Sequence, residues 1–98
     1  MVTKRQIAAV CRAAANRIEK YGWTQGRIGN TTVGFCAIGA IWASAPTPSR
    51  SASACLAVRK HNYISNIPVW NDSKTQTKEG VISALRKTAR ALEHGMAI

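Results

Sequence analysis

Apolar residues return every three or four positions early in the chain, at Ile7, Cys11, Ala14, Ile18 and Tyr21, while Arg5, Arg12, Asn16 and Lys20 fall on the opposite side. That spacing predicts an amphipathic helix with one buried stripe. Its ends carry their own signals. Thr3 followed by Gln6 fits a capping box, and Val2 can staple onto Ile7. Gly22 supplies a left-handed cap, after which Trp23 is expected to fold back onto Ile18.

The pattern then changes. Ile28, Thr31, Thr32 and Val33 flank Gly29-Asn30, a dipeptide whose tolerance of positive φ suits a two-residue hairpin turn, with an ordered loop as the alternative. From Phe35 to Ala45 no polar face remains, which predicts a short central helix surrounded by the others, stopped by Pro46 and Pro48. Residues Ala45 to Ser51 read as a mobile connection. A third helix is expected from an N-cap at Ser49 or Ser51, through Ala52, Cys55, Leu56 and Val58, to about Asn62. Ile64 to Trp70 contains Pro68 and reads as extended chain laid over the core, and Asn71-Asp72-Ser73 turns.

The last helix starts at Ser73, which would form a capping box with Gln76, or at Thr77, whose third position is Gly80. Val81, Ile82, Leu85, Ala89 and Leu92 draw its buried stripe, Arg86, Lys87, Arg90 and His94 project outward, and Gly95 ends it. The fold class that follows is mainly α: a single helical domain over residues 1–98, of four helices with a short β-hairpin after the first.

Charge changes this picture more than composition does. Fourteen Lys and Arg face only Glu19, Asp72, Glu79 and Glu93, for a formal charge of +10, whereas 46% hydrophobic residues are ordinary for a globular chain. Anionic partners are favoured electrostatically. The longest apolar run, Phe35 to Ala43, falls far short of the ~18 residues that cross a bilayer, so no membrane role is expected. The stretch after Thr3-Lys4-Arg5 is interrupted by Arg12, Asn16 and Arg17 and does not form a secretory h-region. With three cysteines, Cys11, Cys36 and Cys55, it points to reduced thiols and a cytoplasmic location.

Several segments taken in order, Tyr21-Gly22-Trp23-Thr24-Gln25-Gly26, Cys36-Ala37-Ile38-Gly39-Ala40-Ile41, Trp70-Asn71-Asp72, then Thr77, Val81-Ile82 and Leu85-Arg86, span nearly the whole chain. Together they resemble a family of small uncharacterised proteins of actinobacteria and their phages, built as helix, GWxQG turn, CAxGAI helix and WND turn. The chain departs from that pattern at Gly80, where an acidic residue would close a capping box with Thr77. The resemblance implies a helical, intracellular and phage-type protein and transfers no chemistry.

Catalysis is not expected. Glu19, Glu79 and Glu93 belong to solvated helix faces or ends, and only Asp72 lies in a loop, where Trp70, Asn71 and Asp72 form a small pocket or simply a cap. No nucleophile elbow, P-loop or dinucleotide fingerprint is present in the sequence. Cys36 near a helix start is read as a buried apolar residue, like Cys11 and Cys55; with no closely spaced Cys pair, no metal and no cofactor are expected.

The leading functional reading is a non-enzymatic binding module for an anionic macromolecule, nucleic acid ahead of an acidic host protein. Its candidate contacts are Arg5, Arg12 and Lys20 on the first helix, Arg59 and Lys60, and Arg86, Lys87 and Arg90 on the last. Tyr63 or Trp70 would serve as an aromatic anchor for a protein partner. A helix-turn-helix reader using Arg50, Ser51 and Ser53 is the weaker nucleic-acid variant, because that helix has few long polar side chains.

Overall fold

Capping decides where each helix of the computed structural model begins; the structure describes residues 1–95. In α1 (Lys4–Tyr21) the Thr3 side chain accepts from the Gln6 backbone N–H and the Gln6 amide oxygen accepts from Thr3 N–H, so the capping box is complete. The hairpin follows as β1 (Gly29–Asn30) and β2 (Gly34–Phe35), antiparallel, with Gly29 opposite Phe35. Then come α2 (Ala37–Ser44), α3 (Pro48–Asn62), α4 (Ile67–Asn71) and α5 (Lys78–Glu93). The chain is mainly helical, with a small hairpin after the first helix as its pattern predicts, but the described residues form five helices and not four, the addition being the short α4.

Helix α1 is the true centre. It packs against α5, α2 and α3, running antiparallel to α5 with Lys4 Nζ donating to Gly95 O at one end and Arg86 reaching Glu19 at the other. Ile7, Cys11, Ala14 and Ile18 meet Ala37, Ala40 and Ile41 of α2, Ala54, Ala57 and Val58 of α3, and Val81, Leu85, Ala89 and Leu92 of α5. Many of these residues are alanines, whose small side chains let backbones approach, so the larger ones carry the packing. Truncating Ile41 or Leu85, both fully buried, to alanine is expected to cost about 2–5 kcal/mol.

The structure corrects several local expectations. Gly22 takes φ 101° and ψ 171°, an extended glycine conformation and not a left-handed helical one, so the chain at Trp23 does not make the Schellman return. It turns instead toward the hairpin, where Phe35 N–H donates to Gly22 O, and a Cβ on Gly34 would lie 2.6 Å from the Gly22 carbonyl carbon. Gly29-Asn30 forms a strand and not the turn; Asn30 Oδ1 accepts from the N–H groups of Thr32 and Val33, so the reversal lies at 31–33. Helix α2 is not enclosed either, since Trp42 is 52% exposed and Ala43 is open on its outer side.

Helix α2 stops at Ser44 ahead of Pro46 as its pattern predicts, but Pro48 opens the next helix. Helix α3 starts at Thr47, whose hydroxyl accepts from Arg50 N–H, with Pro48 already in the first turn, so the α2–α3 link is residues 45–47 and neither Ser49 nor Ser51 caps. Ile64 to Trp70 is not extended throughout: Asn66 caps α4 by accepting from Val69 N–H, and Pro68 sits in that first turn. Thr77, not Ser73, begins α5, accepting from Gly80 N–H at 2.9 Å.

Candidate functional site

Two places gather polar and aromatic side chains, and they differ in what remains unused. The first surrounds Asn71, the last residue of α4 and fully buried. Its Oδ1 accepts from Trp23 Nε1 at 2.8 Å and from Ala37 N–H at 2.9 Å; its Nδ2 donates to Thr24 O at 3.1 Å and to Asp72 Oδ1 at 3.0 Å. An amide has two acceptor sites and two donors, so all four are taken. Gln25 Nε2 adds bonds to the carbonyls of Asn71 and Ser73, and Gly26 N–H donates to Asp72 Oδ1. The Gly26 N–H first, and the Asn71 amide after it, hold the Asp72 carboxyl below its usual range. Trp70 packs half-buried against the core. The turn after α1, the start of α2 and the end of α4, which carry the motifs of the resemblance, thus meet in one hydrogen-bonded knot whose central side chain has nothing left for a ligand.

The second place lies where α3 ends against α5. Asn62, the last residue of α3, donates through Nδ2 to Val58 O at 2.8 Å and to Thr88 Oγ1 at 2.9 Å, and the buried Thr88 hydroxyl donates to Ala84 O. That chain of bonds fixes the crossing. It sets Lys60, His61 and Tyr63 opposite Lys87, Arg90, Ala91 and His94, around an open groove of about 670 Å³. On α5 the spacing of Lys87, Arg90 and His94 at three and four keeps them on one face. Among the described residues no carboxylate lines this groove. His61 Nε2 is buried at its edge without a hydrogen-bond partner among the described residues, a cost the fold carries there. Tyr63 caps α3 at φ 55° and ψ 43°, with its ring 96% exposed.

The other expected cations are distributed differently. Arg12 pairs with Glu93 through two bonds, one of them Nε to Oε2 at 2.8 Å, and this contact draws the Glu93 carboxyl down. Arg86 reaches Glu19 at 3.3 Å and Asn16 at 3.1 Å. Both pairs are solvent-accessible and weak, but they spend charge on the α1–α5 seam. Arg59 Nε donates to Ile64 O, bracing the turn after α3. Arg5 stands by Lys4 and Glu93 at the far end of α1, and Lys20 Nζ lies 5.1 Å from the Tyr21 ring. Arg17, which sequence reasoning passed over, covers Phe35 at 5.5 Å and binds Ser44 Oγ. Of the eight basic candidates, Lys60, Lys87 and Arg90 converge. Arg90 also borders a groove of mixed sign that holds Glu19, Glu79, Lys78 and Arg86.

Burial disfavours the thiolate form at all three cysteines. Burial pushes Cys11 up to about 12 and raises Cys36 and Cys55 as well. Cys36 caps α2, its Sγ accepting from Gly39 N–H at 3.3 Å. Ser51 is buried, which removes it from any set of base readers on α3. Among the described residues no three His, Cys, Asp or Glu side chains gather as a metal site, and no helix is long and apolar enough to cross a membrane.

Residues 2–91 match a protein family described as a family of unknown function, DUF6197, a span that takes in the Asn71 knot and the groove as far as Ala91. The chain belongs to DUF6197. No curated protein and no solved structure matches it. Membership of DUF6197 brings no assigned chemistry, so the groove must be read on its own physics.

Proposed function

We propose that this DUF6197 protein is a non-enzymatic binding module for nucleic acid, which it holds by phosphate contacts from Lys60, Lys87 and Arg90. The observation that carries this reading is the groove where two helix faces meet, lined among the described residues by cations and without the carboxylates that pair with Arg12 and Arg86 elsewhere. A net charge of +10 supplies long-range attraction, and three cations on one surface supply contacts that release counterions. An origin in actinobacteria or their phages belongs to the same reading and rests on the motif resemblance. A reducing, cytoplasmic setting is supported by three free cysteines, two of them buried.

The test is binding of labelled oligonucleotides of unrelated sequence across a salt series. Three phosphate contacts give a slope of roughly −2 to −3 in log K against log salt, and Lys87→Gln or Arg90→Gln should each flatten it by about one unit. No oligonucleotide binding at low salt, with binding to a polyglutamate probe instead, would transfer the groove to an acidic protein partner.

A further inference from the structure

Tyr63 is an odd choice for its position. A helix C-cap in the left-handed region is ordinarily glycine or asparagine, because a Cβ there crowds the backbone, and Tyr63 is the one non-glycine residue with positive φ among those described. The turn is closed by the backbone, with the N–H groups of Tyr63 and Ile64 both donating to Arg59 O and Arg59 Nε donating to Ile64 O, and the tyrosine side chain takes no part in it. The ring is 96% exposed, and its hydroxyl makes no hydrogen bond among the described residues. The neighbouring Asn62 already clamps α3 to α5, so the tyrosine side chain is not needed for the crossing. The uncovered ring therefore stands beside Lys60, Lys87 and Arg90 with no part in closing the turn that carries it, a placement the fold itself does not require.

We propose that Tyr63 is a stacking platform for an unpaired base of single-stranded nucleic acid, with the flanking phosphates lying against Lys60, Lys87 and Arg90. This rests on the nucleic-acid reading above and deepens it. In a duplex the base faces are covered by their neighbours, so a lone projecting ring finds no face to stack on; in a single strand every base presents one, whatever its identity. The arrangement of one aromatic with surrounding cations is the pairing that sequence-tolerant single-strand binders use.

Three probes of equal length, about twelve nucleotides, separate the contributions: oligothymidylate, a dA·dT duplex and a single strand of abasic sites. The protein should bind oligothymidylate about ten-fold more tightly than the other two. Tyr63→Gly should bring oligothymidylate down to the abasic level without altering the salt slope, whereas Tyr63→Trp should keep the preference. Misfolding does not confound this comparison, because glycine relieves the left-handed strain and the variant should melt at or above the parent temperature. Equal binding of all three probes, unchanged by Tyr63→Gly, would overturn the stacking role and leave phosphate contact standing. If no probe binds at low salt, the nucleic-acid reading itself falls. A Lys87→Gln variant that binds abasic strand as tightly as the parent, with the same slope, would displace the phosphates from this groove.

Discussion

Trp23, Asn71 and Asp72 in one cluster and Tyr63, His61 and Lys87 in the other are similar in chemistry, each set pairing an aromatic ring with polar groups at the end of a helix. The difference lies in satisfaction. Around Asn71 the indole N–H, the Ala37 N–H and the Thr24 carbonyl close on one amide, and the Asp72 carboxylate takes its bonds from the same knot. In the groove, among the described residues, no carboxylate lines the wall and the His61 Nε2 has no partner, while the Tyr63 ring faces solvent. A buried polar group must be bonded or it destabilises the fold, so the first cluster is explained completely by folding. The second is not, and that is the reason to seek its use outside the chain.

Removing the amide should break the first cluster decisively. In Asn71→Ala the Trp23 Nε1, the Ala37 N–H and the Thr24 carbonyl all lose partners at a buried site, and each such loss costs about 1–3 kcal/mol. A fall of roughly 3–5 kcal/mol is expected in urea denaturation, a large share of the ~5–15 kcal/mol a small domain commands. Trp23→Phe, which removes one donor and keeps the ring, should lose about a third of that. A loss below about 1 kcal/mol for Asn71→Ala would mean that the cluster does not hold the fold, and the contrast between the two places would fail.

The crossing of α3 over α5 connects stability to binding, and two variants pull them apart. Asn62→Ala leaves the Val58 carbonyl and the Thr88 hydroxyl short of a donor, for an expected cost of about 1–2 kcal/mol, and should also weaken oligonucleotide binding by loosening the end that carries Lys60 and Tyr63. Lys87→Gln, on an exposed face, should change stability by less than about 0.5 kcal/mol and act on binding alone. Thermal melting beside anisotropy titration reads both. Equal binding loss without any stability change in Asn62→Ala would assign Asn62 a direct contact.

How much of this was legible before any coordinates depended on whether the determinant was local. The stripe Ile7, Cys11, Ala14 and Ile18, the Thr3–Gln6 box and the stripe of α5 are properties of neighbouring residues, and all three stand. Proline carries two messages: α2 ends at Ser44 ahead of Pro46, whereas Thr47-Pro48 and Asn66 with Pro68 are cap and first turn, where a proline without an N–H costs nothing. A cap residue just before the proline was the missed signal. Asn30 was read for its tolerance of positive φ when its side chain makes the turn. The site was legible only as a supply of charge. That Lys60 meets Lys87 and Arg90, while Arg86, one residue from Lys87, turns to Glu19, depends on the helix crossing, which no local pattern encodes.

Gly80 offers a smaller change, and one of opposite sign. Gln76 Oε1 accepts from Thr77 N–H at 3.1 Å, the place a glutamate at position 80 would reach in a capping box. A Cβ on Gly80 would come 2.5 Å from that oxygen, the far end of a flexible side chain that can move aside. Gly80→Glu should therefore raise stability by about 0.5–1 kcal/mol through helix propensity and the restored box, and leave binding unchanged. Destabilisation would show that Gln76 is fixed there by its bond to Trp70 O and belongs to the Asn71 knot.

The smallest effect at neutral pH, and the one that isolates a single charge within the satisfied cluster, comes from Asp72→Asn. The Gly26 N–H and the Asn71 amide lower the folded-state affinity of Asp72 for a proton relative to the unfolded chain, whose carboxyl titrates near the ordinary 3.8. Its contribution to stability is then fully present above that ordinary value and is lost as pH falls through the depressed one. Asparagine can accept the same Gly26 bond without a charge, so parent and variant should differ little at pH 7, and the parent should lose more stability between about pH 5 and pH 2. Glu93, lowered by Arg12, loses its own share over the same acid range in both proteins, so the difference between the two curves reports Asp72 alone. Parallel curves down to pH 2 would show that the carboxylate is not differentially held in the folded state, and would leave the amide of Asn71 as the cluster's working group.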